Sequence, residues 1–523
     1  MKRSKTTLGP RSAMTLAVVS TAAGLLSAGS VQAESASKAP ENGLEEIVIS
    51  GIRKSLQESL ETKKSAVNAV DSIASEDMGK MPDQNVAESL QRLPGITIAR
   101  TNGVGNGVTV RGLGPQFNAV TINGRIMATD SAGREFNFDT LAPELIVGAD
   151  VYKSPQANID GASVGATIDI RTMRPLTQNS GLTFGGTLRA NHADLNGSTT
   201  PAASVYTNWK NDAGTFGVSA VVSFDRTIQR TDSFYIGAST GADRNNIEIL
   251  DSNNNKVKGY YWGRTAPAQG YFYNVDTPHN LTAYVDMDDR KRTALDATFQ
   301  WKPADNLVFT FDALLSNLKE NDHNSGPALD FSGGTMDNQI IVGGTTQTMA
   351  VFVNDADLAP TMVPVHVGGT AVYQHYINST ADEIVVNTPR DSKASLFGLN
   401  TKWTHGNLEL ALDLNATQAT RNSLDAAFTT IRRKGVTMYW DKRSGGPVYD
   451  FGYFDPTLTG INTPTELNHV GAHYMQMGGS KLTDKTHEAK IDAKWSGDNT
   501  SLFAGIGFQG RDKDTDAVSQ PFS

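Results

Sequence analysis

A chain of 523 residues exceeds what one compact soluble core usually holds, so several domains or one very large sheet are expected. The absence of cysteine excludes disulfides, thiolate metal sites and cysteine nucleophiles together. A formal charge of -9 without any Arg/Lys cluster argues against a nucleic-acid partner.

The chain opens with Lys2, Arg3, Lys5 and Arg11 and no acid, followed by an apolar, small-residue run over 14–29 and Val31-Gln32-Ala33. A basic start, an apolar middle and a small-x-small end predict a cleaved secretory signal peptide over residues 1–33. The run is shorter than the roughly 20 residues that a bilayer-crossing helix needs. No later stretch is long and apolar enough to cross as a helix, so a membrane location would require a closed sheet.

Residues 34–52 hold a polar linker and then Glu45-Glu46-Ile47-Val48-Ile49-Ser50-Gly51, whose consecutive β-branched residues favour an extended strand. Such a strand could pair with another protein's sheet edge or begin the next domain. Residues 53–176 read as a small α/β domain. Helix is expected across 52–95, where Ile52, Leu56 and Leu60 and then Val86, Leu90 and Leu93 recur at helical spacing, with Asp83 as N-cap and Pro94-Gly95 as stop. Short strands at 96–98, 108–111, 120–122, 149–152 and 166–170 then alternate with Gly-rich turns.

From 181 to 523 the pattern becomes strict alternation over about ten residues at a time, the length of a tilted transmembrane strand. Leu408, Leu410, Leu412 and Leu414 face one way, and Glu409, Asp413 and Asn415 the other. Alternation alone also fits a soluble sandwich. The tryptophans decide: Trp209, Trp301, Trp403 and Trp495 each precede a short polar turn, while long loops lie near 231–289, 321–391 and 425–484. Short turns on one side, long loops on the other and Trp at the short-turn rim predict an outer-membrane barrel. Nine strands are expected, at 182–192, 201–210, 215–230, 290–302, 306–320, 393–404, 407–424, 485–496 and 499–512. An odd, outward-ending sheet would leave bare edges in lipid, so the barrel is expected to be partial and the chain a fragment.

Together these segments resemble the N-terminal portion of a TonB-dependent receptor. Glu45 to Gly51 resembles the TonB box. Leu93-Pro94-Gly95-Ile96, Val108-Thr-Val-Arg111-Gly112, Val120-Thr-Ile-Asn-Gly124 and Gly161-Ala-Ser-Val-Gly165 resemble successive motifs of the plug domain. The likeness is close over 45–176 and rests on pattern alone in the barrel. It implies an α/β plug inside an antiparallel barrel of roughly 22 strands, of which about nine are present. It departs at Lys153-Ser154, where the family carries Arg-Gly. Gly51-Ile-Arg-Lys-Ser55 and Asp160-Gly161-Ala-Ser-Val-Gly165 are similar to glycan-scavenging receptors of Gram-negative bacteria.

The resemblance implies active uptake of a scarce solute across the outer membrane, with a glycan first and a ferric siderophore as alternative. It implies strand pairing of Glu45, Glu46, Ile47, Val48, Ile49 and Ser50 with TonB of the inner-membrane motor. It implies plug roles for Arg111, Gly112, Gly124, Gly161 and Gly165. Arg111 is the candidate for an ion pair to barrel carboxylates, a solvated turn arginine being the other reading. Tyr260, Tyr261, Trp262 and Tyr271 are candidate ligand contacts, because aromatic faces stack on sugars and greasy chelates alike. Loop packing is their bland reading. The plug-apex segments 102–106 and 128–134 are further candidates. No HExxH, G-x-S-x-G or P-loop is present, so no enzyme, metal or cofactor is expected. A secreted β-sandwich adhesin is the alternative of another class.

Overall fold

The computed structural model describes residues 17–18, 61–64, 66, 68–74, 85–157, 159, 163–239 and 247–522, the last without 251–255, 263–269, 274, 331–334, 353–358, 360, 425–426, 445–449 and 453–469. Two layers of structure follow one another along the chain. The first holds strands β1 (Val70–Ala74), β2 (Ile96–Thr101), β3 (Val104–Val110), β4 (Ala119–Ile122), β5 (Arg125–Ile126), β6 (Ile146–Tyr152) and β7 (Thr167–Thr172), with one helix, α1 (Val86–Leu90). Five of these strands form a mixed sheet in the order β1-β6-β7-β4-β5, and β2 and β3 form a separate hairpin.

The helix expected across 52–95 is interrupted at Val70–Ala74, while Ile52, Leu56 and Leu60 lie outside the described residues. Among the described residues only 61–64 and α1 are helical, and Val70–Ala74 is a strand. Pairing with β6 wins there, because it carries Val70 and Ile73 into the core. The helix cap is Asn85, whose side chain accepts from the Glu88 backbone N–H at 3.2 Å; the expected cap, Asp83, lies outside the described residues. Leu90, Val110, Ile122, Phe138, Leu141 and Ile168 are fully buried in one cluster.

The second layer is a 13-stranded antiparallel sheet whose main wall is nine strands: β8 (Gly181–Ala193), β9 (Ser198–Lys210), β10 (Phe216–Ser239), β11 (Thr277–Ala304), β12 (Leu307–Asp330), β13 (Thr370–His405), β14 (Leu408–Ser423), β15 (Val470–Ser496) and β16 (Ser501–Phe522); Thr335–Val342, Ala427–Asp441 and Asp450–Gly452 also join it. Each of the nine pairs with its neighbour in chain order, and Ala17–Val18 bridges to β8. Side chains alternate as the sequence predicts. Phe184, Val222, Phe311, Phe397, Leu412 and Ile506 are exposed on the outward face. Ser219, Asp296, Thr298, Asp312, Thr417 and Asp484 are buried on the inward face, beneath the first layer. Trp209, Trp301 and Trp495 are each a little under half exposed at the short-turn rim. Trp403, in the same ring, stacks on His405 at 5.6 Å between centroids.

The strands outrun their expected length. The β12–β13 ladder continues from Leu307 opposite Trp403 to Asp330 opposite Thr380, so much of the expected loops is ladder. Backbone hydrogen bonding between neighbours, not lipid, carries the strands past the apolar band. Between the long strands, Ile247–Leu250, Lys256–Trp262, Gly270–Tyr273, Thr345–Phe352 and Thr361–Val367 close on one another as a small separate barrel.

Candidate functional site: the seat between plug and wall

The site is built outward from a turn. Asn123 and Gly124 both have positive φ, 55° and 80°, as a tight two-residue hairpin of this hand requires. The turn joins β4 to β5 and is clamped from the side. Asn123 exchanges hydrogen bonds with Thr172, and the Gly124 N–H donates to Asp169 Oδ1 at 2.7 Å. Thr121 donates to the same oxygen at 2.6 Å. Burial pushes the Asp169 carboxyl up to about 6, helped by the Asp150 charge and opposed by these two hydrogen bonds. The residue leaving this fixed turn is Arg125.

Arg125 is 2% exposed and spans two wall strands. Its Nε and Nη2 fork onto Asp413 of β14, both at 2.8 Å, and its Nη1 donates to Asp312 of β12 at 2.5 Å. Burial opposes the guanidinium charge, but Asp413 and Asp312 outweigh it and hold its pKa above the usual arginine value. Arg174, near the C-terminal end of the plug, also binds Asp312. Strand β13 passes between the two acids, and there it carries Gly398. A Cβ on Gly398 would lie 2.2 Å from Arg125 Nη1, so only glycine leaves the guanidinium room. Gly398 belongs to one register level that crosses the wall as Asn208, Ser219, Thr298, Asp312, Gly398, Asn415 and Glu488.

A second polar cluster lies further from the Trp rim. Asp130 of the plug accepts from Arg390 at 2.5 Å and from Ser392 at 2.6 Å. Burial would raise the Asp130 carboxyl, but Arg390 and the hydrogen bonds hold it below the usual range. Asp139 lies 3.2 Å from Arg390 and 3.5 Å from Arg290. Glu320 of β12 accepts from both arginines, at 2.6 Å from Arg290 and 3.0 Å from Arg390. Burial pushes the Asp139 carboxyl up despite the two arginines, with Asp130 and Glu320 adding repulsion. Backbone contacts complete the seat: Ala128 N–H donates to Thr417 and Thr129 N–H to Asp484, both at 2.9 Å. Apolar wall residues Val221, Leu314 and Leu396 join the plug core directly.

The sequence candidates fall in several places. Arg111 does not reach the wall. It is exposed, sits at φ 51° before Gly112 at φ 80°, and donates to the Lys153 carbonyl at 3.0 Å within the plug. The arginine facing wall carboxylates is Arg125, one motif later. Gly124 supplies the turn that aims it. Gly165 packs against Asn118 and the Phe117 carbonyl, where a Cβ would meet Asn118 Oδ1 at 2.4 Å. Glu45, Glu46, Ile47, Val48, Ile49, Ser50 and Gly161 lie outside the described residues. Backbone register places Tyr260 opposite Phe272, Tyr261 opposite Tyr271 and Trp262 opposite Gly270, which gathers the aromatic residues into one hairpin. Tyr271 packs against the Val351–Val365 cluster, so its ring has a structural use. Asn102 donates to Asp322 of the wall at 3.2 Å, and residues 128–131 are buried in the seat while 132–134 are exposed. Sequence reasoning missed Arg125, Asp139 and Gly398, and reached Asp130 only as part of the 128–134 candidate segment. The available signal was an inward glycine and inward acids in otherwise regular strands.

The family model TonB-dependent Receptor Plug Domain matches residues 62–167. No curated protein sequence matches the chain. Among solved structures, the chain is similar to a mutant ferric enterobactin receptor from Pseudomonas aeruginosa, at 9% identity and TM-score 0.35, over 87% of this chain and 72% of that one. It is similar to the unliganded ferric citrate transporter FecA at 9% identity and TM-score 0.30, over 87% and 79% of the two chains. It is also similar to the hemophore receptor HasR of Serratia marcescens at 10% identity and TM-score 0.29, over 88% of this chain and 61% of that one. Residues 62–167 are thus a TonB-dependent receptor plug domain, and its arginine is held by the inward acids of an outward-apolar strand wall.

Proposed function

We propose that the receptor takes up a scarce solute across the outer membrane, with the plug closing the passage until TonB acts on it. The observation that carries this reading is Arg125, which ties the plug to two wall strands at once through a buried, hydrogen-bonded fork. A plug so held needs mechanical work to move, and a short periplasmic strand is a means of delivering it. Residues 45–50 are proposed as that strand, pairing by backbone with TonB, so the shape and β-propensity of Ile47, Val48 and Ile49 matter more than their chemistry. Glycan is the proposed solute class, on the resemblance of residues 51–55 and 160–165 to glycan-scavenging receptors. Ferric siderophore is the second class to test.

Uptake of labelled oligosaccharides and of ferric siderophores by a deletion strain, complemented with the receptor gene, separates the two classes. Val48→Pro removes one donor and the extended register of the proposed strand. Uptake should fall to background while solute binding to whole cells stays within about twofold. Retained uptake would overturn the energised-transport reading.

A further inference from the structure

Asp312, Asp413 and Glu320 of the wall are each ion-paired to an arginine among the described residues, and Asp296 of β11 is not. Asp296 is 2% exposed, and its Oδ2 is buried without a hydrogen-bond partner. Its register neighbours on the inward face are apolar: Val221 of β10, Leu314 of β12 and, one strand further, Leu396 of β13. All three join the plug core. A carboxylate in such surroundings is normally paired or bound to a metal ion. The two charges that reach it, Asp312 and Arg174, are already paired with each other at 2.5 Å. Around this point Asp296, Asp312 and Asp413 meet only Arg125 and Arg174, so one negative charge is left over.

Two more buried polar side chains beside it lack partners. Ser219 of β10 is fully buried with nothing bonded to its Oγ, and Asn208 of β9 is 1% exposed with nothing bonded to Oδ1 or Nδ2. Ser219 stands opposite Asn208 on one side and Thr298 on the other, and Thr298 is two residues from Asp296 on the same face. Diagonal neighbours of this kind are roughly 7–8 Å apart, a span that one ion held between side-chain oxygens can bridge. Thr298 gives its hydroxyl proton to Asp312 at 3.0 Å, which leaves its lone pairs able to accept. The group therefore offers a carboxylate, an amide and two hydroxyls, which are hard oxygen donors with no imidazole or sulfur among them.

A proton on Asp296 would remove the charge but leave Asn208 and Ser219 without partners. Water would satisfy those two but leave the charge. A metal cation does both. We infer that Asp296, Ser219, Asn208 and Thr298 bind one monovalent metal cation, of the sodium and potassium class, between wall and plug. A single positive charge balances the one left over, whereas a divalent ion would reverse the imbalance. Bound there, the ion ties β9, β10 and β11 together beneath the plug and beside the Arg125 fork. The alkali-cation concentration then sets how firmly the plug is seated.

The test uses the full receptor in detergent micelles, at one pH and one ionic strength, in sodium, potassium or choline chloride. Hydrogen exchange is read across β9, β10 and β11. Choline is too large for the site. An ion present at ten times its dissociation constant lowers the open population about tenfold, so exchange in sodium or in potassium should be about tenfold slower than in choline. Asp296→Asn should erase that difference and Ser219→Ala should shrink it. Asp305→Asn, in an exposed short turn, should keep it. Sodium-23 line broadening by the wild-type receptor, saturating at one ion per chain, reads occupancy directly, so a variant that fails to fold leaves the proposal testable. Equal exchange in all three salts would overturn the site, as would a salt difference that survives Asp296→Asn. Protection by calcium chloride alone would overturn the monovalent assignment.

Discussion

Arg125 concentrates the argument at the scale of single residues. It is held by two acids on strands that are not neighbours, with glycine between them. Removing one member of a buried pair commonly costs about 3–5 kcal/mol, because the remaining charges stay buried without their partner. Arg125→Met should therefore raise hydrogen exchange across residues 119–145 while the wall keeps its heat-modifiable migration. Arg125→Lys should recover only part of the loss, since one ammonium cannot reproduce the fork. Asp169 gives a pH dependence of known sign. Its carboxyl is pushed up to about 6 in the folded plug, above its ordinary value. The folded plug then holds a proton that the unfolded chain releases earlier. The resulting stabilisation is complete below the unfolded value and is lost as pH rises through about 6. Plug exchange, corrected for intrinsic rates, should be slower at pH 5 than at pH 7, and Asp169→Asn should flatten that difference. An unchanged slope in the Asn variant would remove Asp169 from the account. Neither residue was legible in the sequence. Arg125 looks like any arginine after a turn, and only the wall's acids, some 187 and 288 positions away, give it a partner.

At the scale of elements, the wall was highly legible and the strand Val70–Ala74 was not. Period-two alternation is set by whichever face meets lipid, so all nine wall strands could be located within a few residues of one end. Their far ends could not, because ladders such as β12–β13 continue where no apolar band marks them. In the plug, Val70–Ala74 is too short to show a period, and its strand character comes from β6 beside it. The alternation makes its own prediction. Leu412 is outward and exposed, on the register level that runs from Trp301 through Phe309 and Thr401 and two residues past Leu410, the partner of Trp403, whereas Asn422 is outward but beyond the apolar band. Arginine in the lipid zone of a barrel costs up to about 2–4 kcal/mol, falling toward zero at the interfaces. Leu412→Arg should lower the folded fraction in lipid vesicles, and Asn422→Arg should not. Equal effects would mean that the outward face does not meet lipid where it is drawn here.

For the molecule as a whole, the family was legible because plug motifs recur in a fixed order, while the solute was not. Recognition depends on which side chains converge in space, and the aromatic hairpin shows how little spacing says of that. Tyr271, a candidate contact by sequence, packs into the small loop barrel. The parts joined by the seat are nevertheless clear. One end of the plug carries the fork of Arg125, and the other end of the same segment carries Glu144, ion-paired to Arg189 of β8. A single stretch, 125–144, thus touches strands from β8 to β15 through Arg125, Asp130, Asp139, Glu144 and the Thr129 backbone. A pull transmitted from the N-terminal side would have to release these contacts in sequence, so force–extension traces of the seated plug should show several small steps rather than one large rupture.

Gly398 carries a consequence for how such a receptor is put together. Strands in a wide sheet can slip by two residues without turning any side chain to the wrong face, so hydrophobic patterning alone does not detect that error. A slip of β13 would bring Leu396 or Asn400 beneath the guanidinium, and neither leaves the space that Gly398 does. The plug would then fail to seat. The bare backbone at that one point makes plug closure a proofreading step: only a correctly threaded wall can be locked.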